Sequence, residues 1–330
     1  MRPLGVTNAY ARLVARCLLA LITDALNDYF LNSSDKCKQF AFCRGGTELN
    51  FAAVSAHLEL NPDNVCISTD EISAFNSFDR KPMFEQLEAV PGLSGAIPYV
   101  ASVYGHAATV YVDRGTALGP LQVLSYAGGK QGCGLAMALY CLTQFPSMLE
   151  ATETHSDTEC YGFADDAKTL GQIDDALAAT KTYITDYTLR TCGSTNMAKS
   201  EIYAPGKSED EVRESLESAG FPDLPIALEG TVVTGGPIGS DSFVAEFVKE
   251  QVTKKSEVIP LLLSFENIQN QFLFLSQGLC PNFVHLARLI DCSPGTAAGT
   301  ELVKWDASLK SILSQLVSQP LGRERELHNF

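Results

Sequence analysis

Two adjacent aspartates, Asp165 and Asp166, constrain the fold of this chain more than any other feature of its sequence. They follow a short apolar run at residues 160–164, and a second short run begins at residue 167. Two such runs around a polar pair are typical of two strands joined by a tight turn. Successive side chains of a strand point to opposite faces, so adjacent carboxylates cannot both face one core. The pair must therefore lie in water or hold a cation, and for a lone Asp pair a solvated turn is the commoner outcome.

The composition is that of a globular protein with a substantial core. The chain has 330 residues, of which 45% are hydrophobic and 19% are charged, and this length predicts one large domain or two to three associated subdomains. Its net charge of −15 argues against sequence-independent binding of nucleic acid, because proteins that bind in this way are usually basic.

The cysteines and the apolar runs bear on the cellular compartment of the protein. Ten cysteines form no CxxC pair and no cluster with zinc spacing, which predicts a reducing intracellular compartment, either nucleus or cytoplasm. Arg12 and Arg16 interrupt the first long apolar stretch, and no uncharged run approaches the length of a membrane span. We therefore expect a protein with no membrane partner.

Apolar periodicity predicts helices that alternate with short strands through the middle of the chain. Helical patterns cover about residues 8–30, 47–60, 80–90, 134–150 and 173–191. Strand patterns cover about residues 65–70, 108–113, 120–125, 159–171 and 201–204, and the chain after residue 242 is helical and rich in leucine. This mixed order predicts an α+β fold in which an antiparallel sheet carries its helices on one face.

A third carboxylate, Asp70, ends the predicted strand at residues 65–70. If that strand neighbours the hairpin of Asp165 and Asp166, three carboxylates meet at one edge and repel one another without a cation. Oxygen ligands of this kind suit Mg²⁺ or Mn²⁺. Two such ions, roughly 3.5–4 Å apart, activate an attacking hydroxyl and stabilise a leaving phosphate oxygen. The three aspartates thus predict nucleotidyl or phosphoryl transfer.

Seven segments with suitable spacing form an ordered series along the chain. They are RPLGV at 2–6 with ARCL at 15–18, QFAFCRGGTE at 39–48, DEISAFNS at 70–77, QGCGL at 131–135, FADD at 163–166, GSTNMAKS at 193–200 and GGPIG at 235–239. In this order they resemble the motifs of reverse transcriptases of the non-LTR retrotransposon type. Any one of them is weak, and the ordered set is specific.

The resemblance implies roles for the charged residues. Asp70 and Asp165 would be the principal metal ligands, and Asp166 would be a weaker ligand or an electrostatic neighbour. Lys199 would approach the triphosphate and could protonate the departing pyrophosphate as a general acid.

It also implies a set of nucleotide- and template-binding residues. Phe75 stands where the family has the side chain that senses the ribose, and its bulk would favour deoxynucleotides. Gln131 and Gly132 would lie near the templating base and the incoming nucleotide. Arg2 and Arg44 are candidates for contacts with the triphosphate.

The implied architecture is a right-hand polymerase. Residues 1–63 would form partial fingers, residues 64–235 a palm with a fingers insertion at about 92–132, and residues 236–330 a helical thumb-like region that we expect to be incomplete. The implied activity is that of an RNA-directed DNA polymerase, with Mg²⁺ or Mn²⁺ as cofactor and an RNA template, a DNA primer and dNTPs as partners.

Two alternatives stay open. The first is a catalytically inactive remnant or a domesticated binding module that keeps the fold, which the acidic composition favours. The second is a different two-metal phosphoryl-transfer enzyme, which leaves the matches around Gln131 and Lys199 unexplained. The sequence also departs from the family at Cys133 and Gly134, where Asp-Pro is usual, and we expect glycine there to loosen the turn.

Overall fold

The computed structural model describes residues 9–112, 121–130 and 132–318. It divides into two compact units, Met1–Leu228 and Glu229–Phe330. No helix within the described ranges is both long and apolar enough to cross a membrane. The finer division into fingers, palm and thumb stays a prediction.

Helices and short strands alternate along the described chain, as the periodicity predicts. The helices are α1 Ala9–Asn32, α2 Gly46–Leu60, α3 Ala74–Ser77, α4 Arg80–Ala89, α5 Ile97–Tyr104, α6 Ala136–Thr154, α7 Ile173–Thr191, α8 Glu209–Ala219, α9 Asp241–Ser256, α10 Ile259–Leu263, α11 Ile268–Leu273, α12 Leu286–Leu289 and α13 Ala297–Ser318. The strands are β1 Cys37–Gln39, β2 Val65–Thr69, β3 Ala108–Val112, β4 Leu121–Ser125, β5 Glu159–Phe163, β6 Asp166–Gly171, β7 Glu201–Tyr203, β8 Ile226–Ala227, β9 Gly230–Val233 and β10 Gly236–Gly239.

The first unit is built on a mixed six-stranded sheet in the order β1-β5-β6-β2-β7-β8. The three inner pairings are antiparallel, but β1 runs parallel to β5 and β8 runs parallel to β7. The prediction of an antiparallel sheet is therefore wrong for the outer pairs. The reason is the connection between the strands: β8 is reached from β7 through α8, and a helical crossover returns the chain in the same direction.

Helices cover both faces of this sheet, which corrects the prediction that they lie on one face. Cys160 of β5 belongs to the core cluster that also contains Phe145 and Met148 of α6. Its neighbour Glu159 contacts His57 of α2 instead. Because adjacent strand residues point to opposite faces, α2 lies across the sheet from α6.

The main core joins α1, α4, α5, α6 and α7 to the sheet. Its largest fully buried side chains are aromatic and include Phe30, Phe78, Tyr140 and Phe145. A second core cluster packs β2 and β7 against α7 and α8 around Ile67. The strand β2 is buried along its whole length, which explains why Val65, Cys66 and Ile67 are apolar on both faces of the strand.

The described part of the second unit consists of the hairpin β9–β10 followed by the helices α9 to α13. Strands β9 and β10 pair antiparallel, and the helices after residue 240 share a core around Trp305. The Trp305 ring meets Phe283 edge to face, with 5.2 Å between the ring centroids. Helix α13 packs along α9, so the leucine-rich region buries one face of each helix.

The pair of buried His57 and partly exposed Glu159 makes stability depend on pH. His57 Nδ1 lies 2.7 Å from Glu159 Oε2, and this hydrogen bond lowers the pKa of the Glu159 carboxyl. A lowered folded pKa contributes stability above the unfolded value of about 4.3 that is lost as pH falls through the folded value. We expect Glu159→Gln to destabilise the protein by about 1 kcal/mol at pH 7, since the carboxylate is partly exposed.

Urea unfolding at pH 7 and pH 3.5 checks this prediction. The difference in free energy of unfolding between wild type and Glu159→Gln should shrink at the lower pH. Glu88→Gln, at an exposed position of α4, is the control and should show no such change. A difference that stays constant with pH would contradict the assignment.

Candidate active site

Three aspartates lie together where the inner strands β2 and β5 end and β6 begins. We call this end of the strands the aspartate edge of the sheet. Asp166 is the first residue of β6 and pairs with Phe163 of β5, so Ala164 and Asp165 form the turn between these strands. Asp70 directly follows β2, whose last pair with β6 joins Thr69 to Ala167. The register of three adjacent strands therefore brings the three predicted ligand positions to the same end of the sheet.

The turn that carries Asp165 is held by a buried side chain. Ala164 has φ of 57°, which is uncommon for a residue with a Cβ atom. Gln39 Nε2 donates to the Ala164 carbonyl at 3.0 Å, and the Ala164 N–H donates to Gln39 Oε1 at 3.0 Å. Gln39 is fully buried, so both bonds are shielded from water. Sequence reasoning gave Gln39 no role, although it stands in one of the segments that carry the resemblance.

Asp166 is paired with a buried lysine. Lys168 Nζ donates to Asp166 Oδ1, and the lysine side chain is 3% exposed while that of the aspartate is 38% exposed. Sequence reasoning missed this pair. The available signal was the i, i+2 spacing, which places both side chains on one face of β6.

A fourth carboxylate, Glu71, lies buried beside the aspartates. Burial raises its pKa to about 7, against hydrogen bonds that lower it and with Asp70 and Asp165 adding to the rise. Tyr183 and Thr195 donate hydroxyl hydrogen bonds to its oxygens at 3.0 and 3.1 Å. Glu71 therefore shares one electrostatic environment with Asp70 and Asp165, and its position directly after Asp70 was the only sequence signal for it.

The loop of Lys199 is attached to the main chain of Asp70. The Asn196 N–H donates to the Asp70 carbonyl at 2.7 Å, and the Asp70 N–H donates to Ser200 Oγ at 3.1 Å. Lys199 lies between these two anchors with an exposed side chain. The structure thus places the predicted lysine, as an exposed residue, on the loop beside Asp70.

Phe75 and Gly132 lie on segments that contact each other. Phe75 is half-buried, and its ring centroid lies 5.1 Å from that of Tyr140. The Gly129 N–H donates to the Phe75 carbonyl at 2.6 Å. This bond holds the segment before Gly132 against the single helical turn α3, which contains Phe75. Gly132 is exposed and has φ of 106°, a conformation that favours glycine. Gln131, predicted to lie here too, is outside the described residues.

The two predicted arginines differ in what the structure describes. Arg44 is exposed in the turn between β1 and α2. Because β1 runs parallel to β5, this turn begins at the edge of the sheet that carries the aspartates. Arg2 lies outside the described residues.

Gly134 has a packing role that the sequence did not predict. A Cβ atom there would lie 3.1 Å from Arg16 Cγ and 3.3 Å from Arg16 N. The neighbouring turn keeps its main-chain bonds, with the Cys133 N–H donating to the Lys130 carbonyl at 2.9 Å. Glycine thus admits the close approach of α1, and the expected loosening of the turn stays a prediction.

The donor set at this edge consists of carboxylate oxygens. Across the described parts of the chain, no group of three or more His, Cys, Asp or Glu side chains is arranged to hold a metal ion. Mg²⁺ is usually bound through one or two carboxylates together with substrate phosphates. Asp70 and Asp165 fit such a role by their chemistry, whereas Asp166 is engaged by Lys168. The metal itself stays a prediction.

Comparison with solved structures bears on the fold. The chain is similar to apo telomerase from Candida tropicalis, with a TM-score of 0.50 and 12% identity over 94% of this chain and 50% of that chain. This likeness supports a reverse-transcriptase-like fold. At this identity it shows the fold alone, and it does not extend to the non-LTR retrotransposon type.

Other comparisons add little to this result. Telomerase from Candida albicans, in complex with a TWJ fragment of telomeric RNA, matches with a TM-score of 0.38 and 9% identity over 94% of this chain and 54% of that chain. That score is too low to carry an argument. The chain thus spans about half the length of both telomerase chains. No protein-family model and no curated protein matches the sequence.

The ion pair at the aspartate edge predicts unequal effects on stability. Asp166→Asn leaves Lys168 buried without its counter-charge, and we expect a loss of about 2 kcal/mol in the free energy of unfolding, less than for a fully buried pair because Asp166 is 38% exposed. The double variant Asp166→Asn, Lys168→Met removes the unpaired charge and should recover most of that loss. Chemical denaturation of the single and double variants measures both values. Equal stability of the two variants would contradict the pairing.

Proposed function

We propose that this chain is the core of a reverse transcriptase, an RNA-directed DNA polymerase that adds dNMP units to the 3′-hydroxyl of a primer. The observation that supports it best is the meeting of Asp70 with the turn of Asp165 and Asp166 at one edge of a sheet. The loop of Lys199, bonded to the main chain of Asp70, adds a cation beside the carboxylates. The motif series extends the proposal to the non-LTR retrotransposon type.

The proposed mechanism divides the work among the residues of this edge. Asp70 and Asp165 would hold Mg²⁺ or Mn²⁺, and the metal would supply charge stabilisation for the attacking and leaving oxygens. Lys199 would donate a proton to the departing pyrophosphate from its exposed loop. Asp166, neutralised by Lys168, would shape the local field rather than bind the metal. Positioning and charge stabilisation carry most of the rate enhancement in such reactions.

The proposed substrates are an RNA template, a DNA primer and dNTPs, and the proposed site of action is the nucleus or the cytoplasm. The half-buried ring of Phe75 would oppose a ribose 2′-hydroxyl. Gln131 and Gly132 would contact the incoming nucleotide and the templating base. Arg2 and Arg44 would contact the triphosphate.

Primer extension tests the proposed function directly. The purified chain, an RNA template with an annealed DNA primer, dNTPs and Mg²⁺ should give extended product, and Mn²⁺ should substitute. Asp70→Asn and Asp165→Asn should each abolish extension, because each removes a proposed metal ligand. Asp63→Asn, at an exposed position before β2, is the control and should retain activity.

Binding separates this proposal from the inactive module. Fluorescence anisotropy with the same template and primer reports binding without chemistry. A wild-type chain that binds the duplex and gives no extension with either metal would contradict the polymerase and identify a binding module. Extension that persists in Asp165→Asn would contradict the assigned site.

Phe75 predicts the choice of sugar. Phe75→Ala removes the bulk that would oppose a 2′-hydroxyl, so the preference for dNTP over rNTP should fall by roughly tenfold or more. The measurement is the ratio of kcat/KM for dATP and ATP on one enzyme preparation. This ratio does not depend on the folded fraction, so lost packing against Tyr140 does not affect it. An unchanged ratio would leave Phe75 as a core aromatic.

A further inference from the structure

Arg80 is a buried cation that binds main-chain oxygens. It begins α4 and is 6% exposed. Its guanidinium donates to the carbonyl oxygens of Gly128 at 2.9 Å, Ala127 at 3.1 Å, Tyr104 at 3.2 Å and His106 at 3.3 Å, and to Ser125 Oγ at 3.4 Å. Among the described residues it forms no ion pair with a carboxylate. A buried charge is costly unless hydrogen bonds satisfy it, and here carbonyl oxygens do so.

Two of the five bonds of Arg80 go to the carbonyl oxygens of Ala127 and Gly128, in the segment 127–130 that precedes Gly132. From the other side, this segment is bonded to the turn of Phe75. The Gly128 N–H donates to the Phe78 carbonyl at 2.7 Å, and the Gly129 N–H donates to the Phe75 carbonyl at 2.6 Å. The segment is therefore held between the guanidinium and the residues that follow Asp70.

The fit between segment and turn is close enough to require glycine. Gly128 has φ of 66°, and a Cβ atom there would lie 2.3 Å from the main-chain carbon of Asn76. No side chain can be accommodated at that distance without displacement of the backbone. The main chain of the segment therefore lies directly against the main chain of Asn76.

Tyr104 extends the same contact toward Lys130. The Lys130 N–H donates to the Tyr104 hydroxyl at 3.3 Å. The Arg80 guanidinium carbon lies 5.3 Å from the Tyr104 ring centroid, and Lys130 Nζ lies 5.7 Å from it, both within the range of cation–π attraction. One aromatic ring therefore joins the arginine to the residue two positions before Gly132.

We propose that Arg80 is a positioning residue of the nucleotide site, which fixes the segment of Gly132 at a set distance from the ribose-sensing Phe75. This inference rests on the proposed function. Arg80 contacts neither of the predicted binding residues through its side chain and acts through the main chain of residues 127–130. A lysine cannot replace it, because an ammonium offers donors at one point and the guanidinium offers five in a planar fork.

Sugar discrimination tests the positioning role. Arg80→Lys should lower the dNTP over rNTP ratio of kcat/KM by roughly tenfold, because small displacements of positioning groups cost rate steeply. KM for dNTP should rise in the same variant. Lys81→Gln, at the exposed neighbouring position of α4, is the matched control and should keep both values. A purely structural role for Arg80 would lower the folded fraction and leave the ratio unchanged, which would overturn the proposal.

Hydrogen exchange tests the same contact without catalysis. In Arg80→Lys the amides of Gly128 and Gly129 should exchange about tenfold faster than in wild type. The amides of β2 and α6 should keep their protection. Unchanged exchange at both glycines would overturn the proposal whether or not the chain extends a primer. A wild-type chain that gives no extension would contradict the proposed function, and exchange would still decide whether Arg80 holds the segment.

Discussion

The antiparallel register between β2 and β6 is the constraint on which the rest of the site depends. It pairs Val65 with Gly171 and Thr69 with Ala167, so Asp70 leaves β2 at the edge where β6 begins with Asp166. A shift of one residue would turn every side chain of β2 to the other face. Ile67 would then leave the core cluster that it forms with α7 and α8. Burial of β2 therefore fixes where Asp70 stands.

Neutral and cationic groups make the crowded carboxylates at this edge tolerable. Lys168 neutralises Asp166 from within the sheet, and the pKa of about 7 leaves Glu71 partly protonated near neutral pH. Gln39 fixes the turn through two bonds to the Ala164 main chain without adding charge. Each of these groups is buried, so its effect is screened by solvent less than that of a surface pair.

Helices and strands with a strong apolar periodicity were predictable from the sequence. Short strands that form only by pairing with neighbouring strands were not. Helix α7, predicted at about residues 173–191, is found at Ile173–Thr191, and the hairpin of Asp165 is found where the paired apolar runs indicate. Strands β1 and β8 have three and two residues, too few to show a period. Their parallel pairing arises from crossover connections, which made a purely antiparallel sheet the wrong expectation.

The residues of the candidate site also divide into those that the sequence predicts and those that only their packing reveals. Asp70, Asp165, Asp166 and Lys199 were predicted as site residues because the segments that carry them resemble a known series. Lys168, Glu71 and Arg80 were missed because all three are buried, and because Glu71 and Arg80 bond to residues distant in sequence, such as Tyr183 and Gly128. A lysine or arginine in a sequence is usually on the surface. Only the packed structure shows that Lys168 and Arg80 are not.

The positions of the acidic residues change what the net negative charge implies for nucleic-acid binding. Many acids lie on solvent-exposed helical faces and pair with bases one turn away, as Glu209 does with Arg213 and Glu250 with Lys254. Such pairs affect binding far from themselves only weakly, because salt screens charges beyond about 10 Å. At the aspartate edge the problem is local. A triphosphate that approaches Asp70 and Asp165 is repelled unless a cation lies between them, since like charges in contact repel strongly where water is excluded. Asp70 and Asp165 add to the net negative charge that argues against nucleic-acid binding, yet these two carboxylates are the groups that would make such binding dependent on a divalent metal.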